Sequence, residues 1–201
     1  METTSDDVLA FWFGEEHGDW EAAPGKASMW FRGGADVDRE IRERFGDAVR
    51  RAGAGELDGW AETPRGRLSL VVLLDQMTRN IHRGSGEAFA CDERVRVLVA
   101  EGLVAGVDRE LRPVERTFFY MPLMHAEDLA CQDRCLALFE ALSAEASHEH
   151  RERFAANVEY ARRHRDVVAR FGRFPHRNQR LRRESTPEER EFLKQPGSSF
   201  G

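Results

Sequence analysis

The feature that most restricts the fold is the stretch Leu68-Ser-Leu-Val-Val-Leu-Leu74, which follows a helix start at Thr63-Pro64. Threonine is a good helix cap, and proline suits the first turn because its missing N–H would have no partner there. At about 100° per residue, the apolar side chains cover nearly the whole circumference of a helix running to about Ile81. The sequence therefore predicts a central helix that is packed on all sides.

The same helix becomes polar immediately after Leu74. Asp75, Arg79 and His82 follow at i, i+4 and i+7 and are predicted to share one face. The residues one position later repeat this spacing on the neighbouring face, and they are Gln76, Asn80 and Arg83. Two interpretations stay open. The helix emerges from the core with Asp75 and Arg79 as a solvated ion pair, or it forms the mouth of a pocket in which an arginine holds an anion.

Caps and apolar periodicity predict helices in the rest of the chain. The predicted segments are Ser5 to Gly14, Asp36 to Arg51, Asp92 to Leu103, Pro113 to a stop at Pro122, about His125 to Leu142, about His148 to Phe171, and Thr186 to about Lys194. No segment has the alternating pattern of a strand. We predict an all-α fold of about seven to nine helices packed as antiparallel pairs. We expect one domain over residues 1–201, with residues 195–201 as a loose tail.

Composition narrows the class of protein. The chain has 201 residues, 41% hydrophobic content and a formal net charge of −6. Its longest apolar run is far shorter than the roughly 20 residues that span a bilayer, and residues 1–7 lack the pattern of a signal peptide. Three cysteines do not suggest a disulfide framework. We expect a soluble, cytoplasmic protein with no membrane partner, no nucleic-acid partner and no cofactor, since nucleic-acid affinity needs a positive surface.

A strongly basic segment contrasts with this acidic balance. Between Arg170 and Arg183 there are six arginines, one histidine and one asparagine, with no acid. These cations can neutralise a ligand, or they can pair with the chain's own acids, for which Asp75, Glu127 and Asp128 are candidates. An RNA-binding interpretation, with arginines beside phenylalanines, is the least favoured because the overall charge has the wrong sign.

A second polar group follows Pro122. If the next helix begins near His125, then His125, Asp128 and Gln132 share a face at i, i+3 and i+7. A histidine beside a carboxylate suits proton transfer. A metal site would need His164 or His176 as well, and Glu127 and Asp128 point about 100° apart on a helix, so we predict no metal. His164 lies on the buried side of its own helix, where both a structural role and a functional role stay open.

Four motifs in order resemble one bacterial family. They are Phe11-Trp-Phe13, Leu74-Asp-Gln-Met-Thr-Arg-Asn80 with Arg83-Gly84, Phe119-Tyr-Met-Pro-Leu-Met-His-Ala-Glu-Asp128 with Gln132, and Arg170-Phe-Gly-Arg-Phe-Pro-His-Arg-Asn178 followed by Ser185-Thr-Pro-Glu-Glu189. The chain resembles the family called domain of unknown function 924, which implies a helical fold similar to tetratricopeptide repeats. The family usually has Phe-Pro at Met77-Thr78 and Leu-Gly-Arg at Leu181-Arg182-Arg183. The resemblance implies a fold and no particular reaction.

Two hypotheses for function follow. The first is a small-molecule site that binds an anionic metabolite, with His125 and His176 as candidate acid–base residues. Its predicted ligand-binding residues are Asp75, Gln76, Arg79, Asn80, Arg83, Glu127, Asp128, Gln132, Arg173, Arg177 and Asn178. The second is a tetratricopeptide-like scaffold that binds a peptide or protein, in which the same polar residues form a structural salt-bridge network. No nucleophile stands out, so the sequence does not decide whether the protein is an enzyme.

Overall fold

The computed structural model describes residues 2–15 and 18–200, and this part of the chain is all-α, with no strand. The helices are α1 (Ser5–Phe13), α2 (Lys26–Arg32), α3 (Ala35–Ala54), α4 (Pro64–Val71), α5 (Thr78–Ile81), α6 (Asp92–Ala105), α7 (Pro113–Met124), α8 (Leu129–Glu145), α9 (Arg151–Phe171) and α10 (Pro187–Leu193). A π-helical segment, Val72–Met77, joins α4 to α5. Counted as one central helix, these three pieces bring the described total to nine, so the predicted fold class is confirmed.

The central helix has the predicted start, length and burial. Thr63 caps it, with its hydroxyl accepting from the Gly66 N–H at 3.1 Å, and every residue from Leu68 to Asp75 is buried. Its π-helical turn was not predicted. The Thr78 N–H bonds to the Leu73 carbonyl five residues back, and the Thr78 hydroxyl donates to the same oxygen at 3.0 Å. A helix that is apolar all round has no periodicity from which such a register change could be seen.

Contacts group the chain into two compact units. The first comprises Met1–Arg83 and Glu87–Pro122, and the second comprises Gly84–Gly86 and Leu123–Gly201. In the first unit, α1 and α6 pack against α4, while α3 packs against the π-helical segment and α5. Aromatic side chains close one side of this core: the ring of Phe118 meets Trp12, Phe13 and Trp30 at centroid distances of 5.7, 5.4 and 4.5 Å.

The second unit is built on α8 and α9, which pack against each other. The chain after α9 turns at Gly172, whose φ of 69° is left-handed, and a short 3-10 turn, Pro175–Arg177, follows. Phe174 is fully buried against Val167 and Val168, and the ring of Phe192 in α10 lies 5.0 Å from the Phe171 ring at an interplanar angle of 50°. The basic segment is therefore anchored by its phenylalanines between α9 and α10.

The caps are mostly as predicted. Gly14 and Gly106 end α1 and α6, and Thr186 with Glu189 forms the capping box of α10. At the first helix the predicted cap is wrong by one residue. Thr4, and not Ser5, caps α1, because the side chains and backbone of Thr4 and Asp7 form a reciprocal capping box.

The predicted helix boundaries around Pro122 are wrong. The helix α7 continues through Pro122 to Met124, and the next helix begins at Leu129 and not near His125. Proline has a φ compatible with a helix, and the extra turn is held by burial of Leu123 and Met124. Similarly, α9 begins at Arg151 and not near His148. As a result, residues 125–128 form a turn between two helices.

No helix in the described ranges is both long and apolar enough to cross a membrane. The single-domain organisation and the tetratricopeptide-like arrangement of the helices stay predictions.

Candidate functional site

The first polar group on the central helix is an ion triad within the first unit. Arg79 donates from Nη2 to Asp75 Oδ1 at 3.1 Å and to Asp92 Oδ1 at 2.7 Å, and its guanidinium carbon lies 5.3 Å from the centre of the Phe89 ring. Burial alone would lower the pKa of Arg79, but Asp75 and Asp92 more than offset it and raise that pKa. The ion pair of Asp75 and Arg79, which was one of the two open interpretations, is present, but Asp75 is buried and not solvated.

The second predicted face of this helix meets an acid on α3. Asp38 accepts from Arg83 Nε at 2.6 Å and Nη2 at 2.9 Å, and from Asn80 Nδ2 at 2.8 Å. Burial would raise the pKa of the Asp38 carboxyl, but these hydrogen bonds lower it. The sequence analysis missed Asp38, although the residue lies three positions before Ile41 on the buried side of α3. An acid on an apolar helix face was the available signal.

The remaining polar residues of the central helix have other partners. Gln76 donates from Nε2 to Asp75 Oδ2 at 2.5 Å and to the Met121 sulfur at 3.4 Å. His82 lies beyond the end of α5, and its Nδ1 is 2.9 Å from Glu87 Oε2. The group thus consists of two internal ion-pair networks, one centred on Arg79 and one on Asp38.

In the second unit, the turn before α8 is held by Asp128 and Gln132. Asp128 caps α8, with Oδ1 accepting from the Cys131 N–H at 2.8 Å. Buried Gln132 donates from Nε2 to the carbonyls of Met124 at 2.6 Å and Ala126 at 2.7 Å. The predicted common helix face of His125, Asp128 and Gln132 is wrong, because His125 and Asp128 precede the helix.

Glu127 connects this turn to the basic segment. Arg183 donates to both of its carboxylate oxygens, at 2.5 and 2.8 Å, and the Phe174 N–H donates a third hydrogen bond at 2.8 Å. Burial would raise the pKa of Glu127, but the bonds from Arg183 and Phe174 lower it. Glu127 therefore pairs with the basic segment, as one of the two open interpretations of that segment proposed.

Two further arginines of the segment pair with acids of α10 that were not among the predicted partners. Arg173 binds Glu189 through bonds of 2.6 and 2.8 Å, and Arg170 binds Glu188 at 2.8 Å. Asn178 donates to Glu189 at 3.2 Å and accepts from Arg183 Nε at 3.1 Å. The hydrogen bonds from Arg173 are the main reason why the pKa of Glu189 falls to about 2. Glu189 therefore serves as a cap and as a counterion.

A different environment surrounds the histidines of this unit. We define the histidine cluster as His125, His164, His176 and Arg177. The His125 and His164 rings lie 6.4 Å apart, Phe174 lies 5.6 Å from His164 and 5.5 Å from His176, and the Arg177 guanidinium lies 4.6 Å from the centre of the Phe174 ring. His164 and Arg177 are both buried.

Within the histidine cluster, basic groups lie near the buried imidazole of His164. Burial is the main reason why the pKa of His164 falls to about 3, and His125, Arg177 and His176 lower it further. His164 Nδ1 lies 2.8 Å from the Tyr160 carbonyl, which favours a protonated Nδ1 in the neutral ring. A buried neutral imidazole is therefore surrounded by basic neighbours.

Within residues 2–15 and 18–200, no group of three or more histidine, cysteine or acidic residues is placed to hold a metal ion.

The structure places the predicted site residues in separate groups within each unit. The first unit holds Asp75, Gln76, Arg79, Asn80 and Arg83, and the second holds His125, Glu127, Asp128, Gln132, Arg173, His176, Arg177 and Asn178.

Comparison with known proteins agrees with this architecture. A solved structure of a protein of unknown function from Agrobacterium tumefaciens is 38% identical, with a TM-score of 0.80 over 94% of this chain and 96% of that chain. No curated protein gives a significant match. The profile of the family described as "Bacterial protein of unknown function (DUF924)" matches residues 8–197. A match over nearly the whole sequence identifies this chain as a member of the DUF924 family.

Proposed function

We propose that the second unit binds a small anionic molecule at the histidine cluster. The observation that carries this proposal is that buried Arg177 and the rings of His125, His164 and His176 lie together around Phe174. A positive potential in a partly desolvated place favours a bound anion. Arg177 supplies a planar guanidinium, which matches a carboxylate or phosphate in two-point geometry.

The ion pairs around the cluster support a rigid site. Glu127, Arg183 and the Phe174 N–H fix the turn that contains His125, while Arg173, Glu189 and Asn178 fix the chain beyond His176. Side chains already engaged in such pairs serve better as supports than as ligands, because a new anion would have to displace a carboxylate. Within the predicted site, we assign ligand contact to Arg177, His125 and His176 because they are the basic groups that lie together in the histidine cluster.

His125 and His176 are the candidates for proton transfer, since an imidazole changes its charge near neutral pH. His164 differs from them because its low pKa keeps it neutral above about pH 3. A neutral ring can hydrogen-bond to a ligand but does not add positive charge. Anion binding is therefore the main role that we propose for the histidine cluster, and acid–base chemistry is a secondary one.

Binding can be tested by isothermal titration with phosphate, acetate and citrate at constant ionic strength, with chloride as the reference anion. We expect one of these anions to bind the wild-type protein and to bind Arg177→Met at least about tenfold more weakly, which corresponds to the loss of one charge-assisted contact. Arg170→Met is the matched control, because Arg170 belongs to the same segment but pairs with exposed Glu188. Equal affinity in all three proteins would contradict the proposal.

A second candidate function is peptide binding at a groove on α6 in the first unit. The groove has a volume of about 460 Å³ and is lined by Asp58, Ala90, Glu93, Arg94, Val97, Leu98 and Glu101. Val97 is 52% exposed and offers an apolar contact between acidic side chains. This chemistry suits a peptide with an apolar anchor and basic residues.

This second function is tested with a fluorescent amphipathic peptide of leucine and lysine. We expect Val97→Asp to weaken its binding, and Arg177→Met to leave it unchanged. A peptide affinity that does not change in Val97→Asp would count against the groove.

A further inference from the structure

The chain end reaches the histidine cluster. Residues 196–200, for which the sequence predicts a loose tail, place Phe200 against His164 with ring centroids 3.7 Å apart and ring planes 30° apart. Ser198 is buried and donates from its hydroxyl to the Leu193 carbonyl at 3.1 Å. The Phe200 ring therefore has a defined position within the second unit.

The surroundings of Phe200 form an aromatic box. Tyr160 lies edge-on at 5.8 Å with an interplanar angle of 90°, Phe174 at 6.0 Å with 74°, and His176 at 5.8 Å with 71°. The Arg163 guanidinium carbon lies 5.7 Å from the ring centre. The ring of Phe200 thus has one tilted neighbour, His164, and three edge-on neighbours, and the edge-on arrangement is one that aromatic groups prefer.

Backbone and hydroxyl hydrogen bonds add to the ring contacts of Phe200. Besides the ring and the Ser198 hydroxyl, Arg163 donates to the Gly197 carbonyl at 3.2 Å and the Ser198 N–H donates to the Gln195 carbonyl at 3.3 Å. Gly197 has a φ of 74°, a conformation that glycine adopts without strain. Residues 195–197 and 199 are exposed, and a segment with so little buried surface opens at low cost.

We infer that the aromatic box is a ligand subsite filled by the protein's own Phe200, and that its ligand is an aromatic carboxylate which displaces the tail. This inference rests on the proposed function and adds the ligand class. The ring of such a ligand takes the place of Phe200 on His164, between Tyr160, Phe174 and His176. Its carboxylate is then stabilised by Arg177 and His176 of the same cluster, which Phe174 and His176 connect to the box.

The chemistry explains why tail and ligand compete. Phe200 fills the box and makes apolar contacts with its rings, but a phenylalanine ring has no negative charge that could pair with the basic neighbours. An aromatic acid supplies both the ring and the charge, so it gains contacts that Phe200 lacks. Occupation by the tail keeps the apolar box closed to water when no ligand is bound and lowers the apparent affinity for the ligand.

The test uses 3-phenylpropionate, 3-cyclohexylpropionate and propionate as probes in isothermal titration. We compare the wild-type chain with Phe200→Ala, with Phe200→Leu, which keeps apolar volume without the ring, and with Phe31→Ala, an exposed aromatic of the first unit as control. We expect 3-phenylpropionate to bind Phe200→Ala about tenfold more tightly than wild type, because no ring has to leave the box. Phe200→Leu should lie between them, and Phe31→Ala should match wild type.

The outcomes separate this inference from the proposed function. Binding of propionate and 3-phenylpropionate with equal affinity, lost in Arg177→Met and unaffected at Phe200, would overturn the tail inference and leave anion binding intact. Absence of binding by every probe in every variant would overturn both. A second readout is removal of the chain end by carboxypeptidase, which 3-phenylpropionate should accelerate in wild type. Protection by the ligand would contradict displacement.

Discussion

Glu127 and Arg183, 56 residues apart in the sequence, form a two-point ion pair in which both carboxylate oxygens accept from the same guanidinium. With Arg173 on Glu189 and Arg170 on Glu188, three of the arginines between Arg170 and Arg183 pair with the chain's own acids. The ion pairs of these three arginines therefore connect the turn before α8, the end of α9 and α10.

The first prediction concerns Glu127→Gln. The amide keeps the shape but replaces two charge-assisted acceptors with one acceptor and one donor that faces Arg183. We expect the free energy of unfolding to fall by about 2 kcal/mol, measured by urea denaturation. Glu188→Gln is the matched control, since its pair with Arg170 is exposed, and it should change stability by less than about 1 kcal/mol. Equal effects of the two substitutions would show that the Glu127 pair is no stronger than a surface pair.

The second prediction is loss of stability in acid through Glu189. Its folded pKa of about 2 lies below the ordinary value of 4.5, so the unfolded chain binds more protons between these values. The stability that this carboxylate contributes is complete above pH 4.5 and is lost as pH falls toward 2. We expect Glu189→Gln to be less stable than wild type at pH 7, with the difference shrinking toward pH 2 in thermal unfolding. A constant difference across this range would contradict the assignment.

The third prediction concerns protonation of His164. Its folded pKa of about 3 lies below 6.5, so the neutral ring is favoured in the folded state and stability falls as pH drops from 6.5 toward 3. Its neighbours His125, His176 and Arg177 are all basic, which adds to the effect of burial. Histidine NMR signals followed over pH should show one ring that stays neutral at pH 5. That signal should disappear in His164→Phe, and its titration near pH 6.5 would refute the burial argument.

The fourth prediction concerns the ion triad of the first unit. Asp75→Asn removes the charge of a buried carboxylate that faces half-buried Arg79, so we expect a loss of about 3 kcal/mol in chemical denaturation. Asp36→Asn is the control because Asp36 pairs with Arg39 at the surface of α3, where the same change should cost less than about 1 kcal/mol. A small effect at both positions would mean that Asp92 alone compensates Arg79.

Local signals in the sequence predicted most of the helices, and contacts between distant residues explain the errors. The Thr63 and Thr186 caps depend on residues three positions away, so they can be read directly. The turn at residues 125–128 depends on Gln132 bonding back to two carbonyls, which no local pattern encodes. Hydrophobic periodicity also fails to predict the π-helical segment, because a run that is apolar on all sides shows no periodic pattern.

The candidate site was less predictable than the fold for a related reason. Residue types indicated that arginines and acids would pair, and the confirmed pair of Glu127 depends on that chemistry. The identity of the other partners, Asp38, Asp92, Glu188 and Glu189, depends on which helices meet. The sequence did not predict the aromatic box around Phe200, because a short polar segment with a single phenylalanine has the same pattern as a loose tail.

The last prediction follows from a departure from the family pattern. At Arg182, where the resemblance to the family implies a glycine, the φ of 53° lies in the left-handed region, which costs a residue with a Cβ about 1 kcal/mol. The turn is needed because the Arg183 N–H returns to the Asn178 carbonyl at 2.8 Å, which brings Arg183 to Glu127. We therefore expect Arg182→Gly to stabilise the protein by roughly 0.5–1 kcal/mol in urea denaturation. Arg180→Gly, at a nearby exposed position without a positive φ, should not stabilise it, because there glycine only increases the entropy of the unfolded chain.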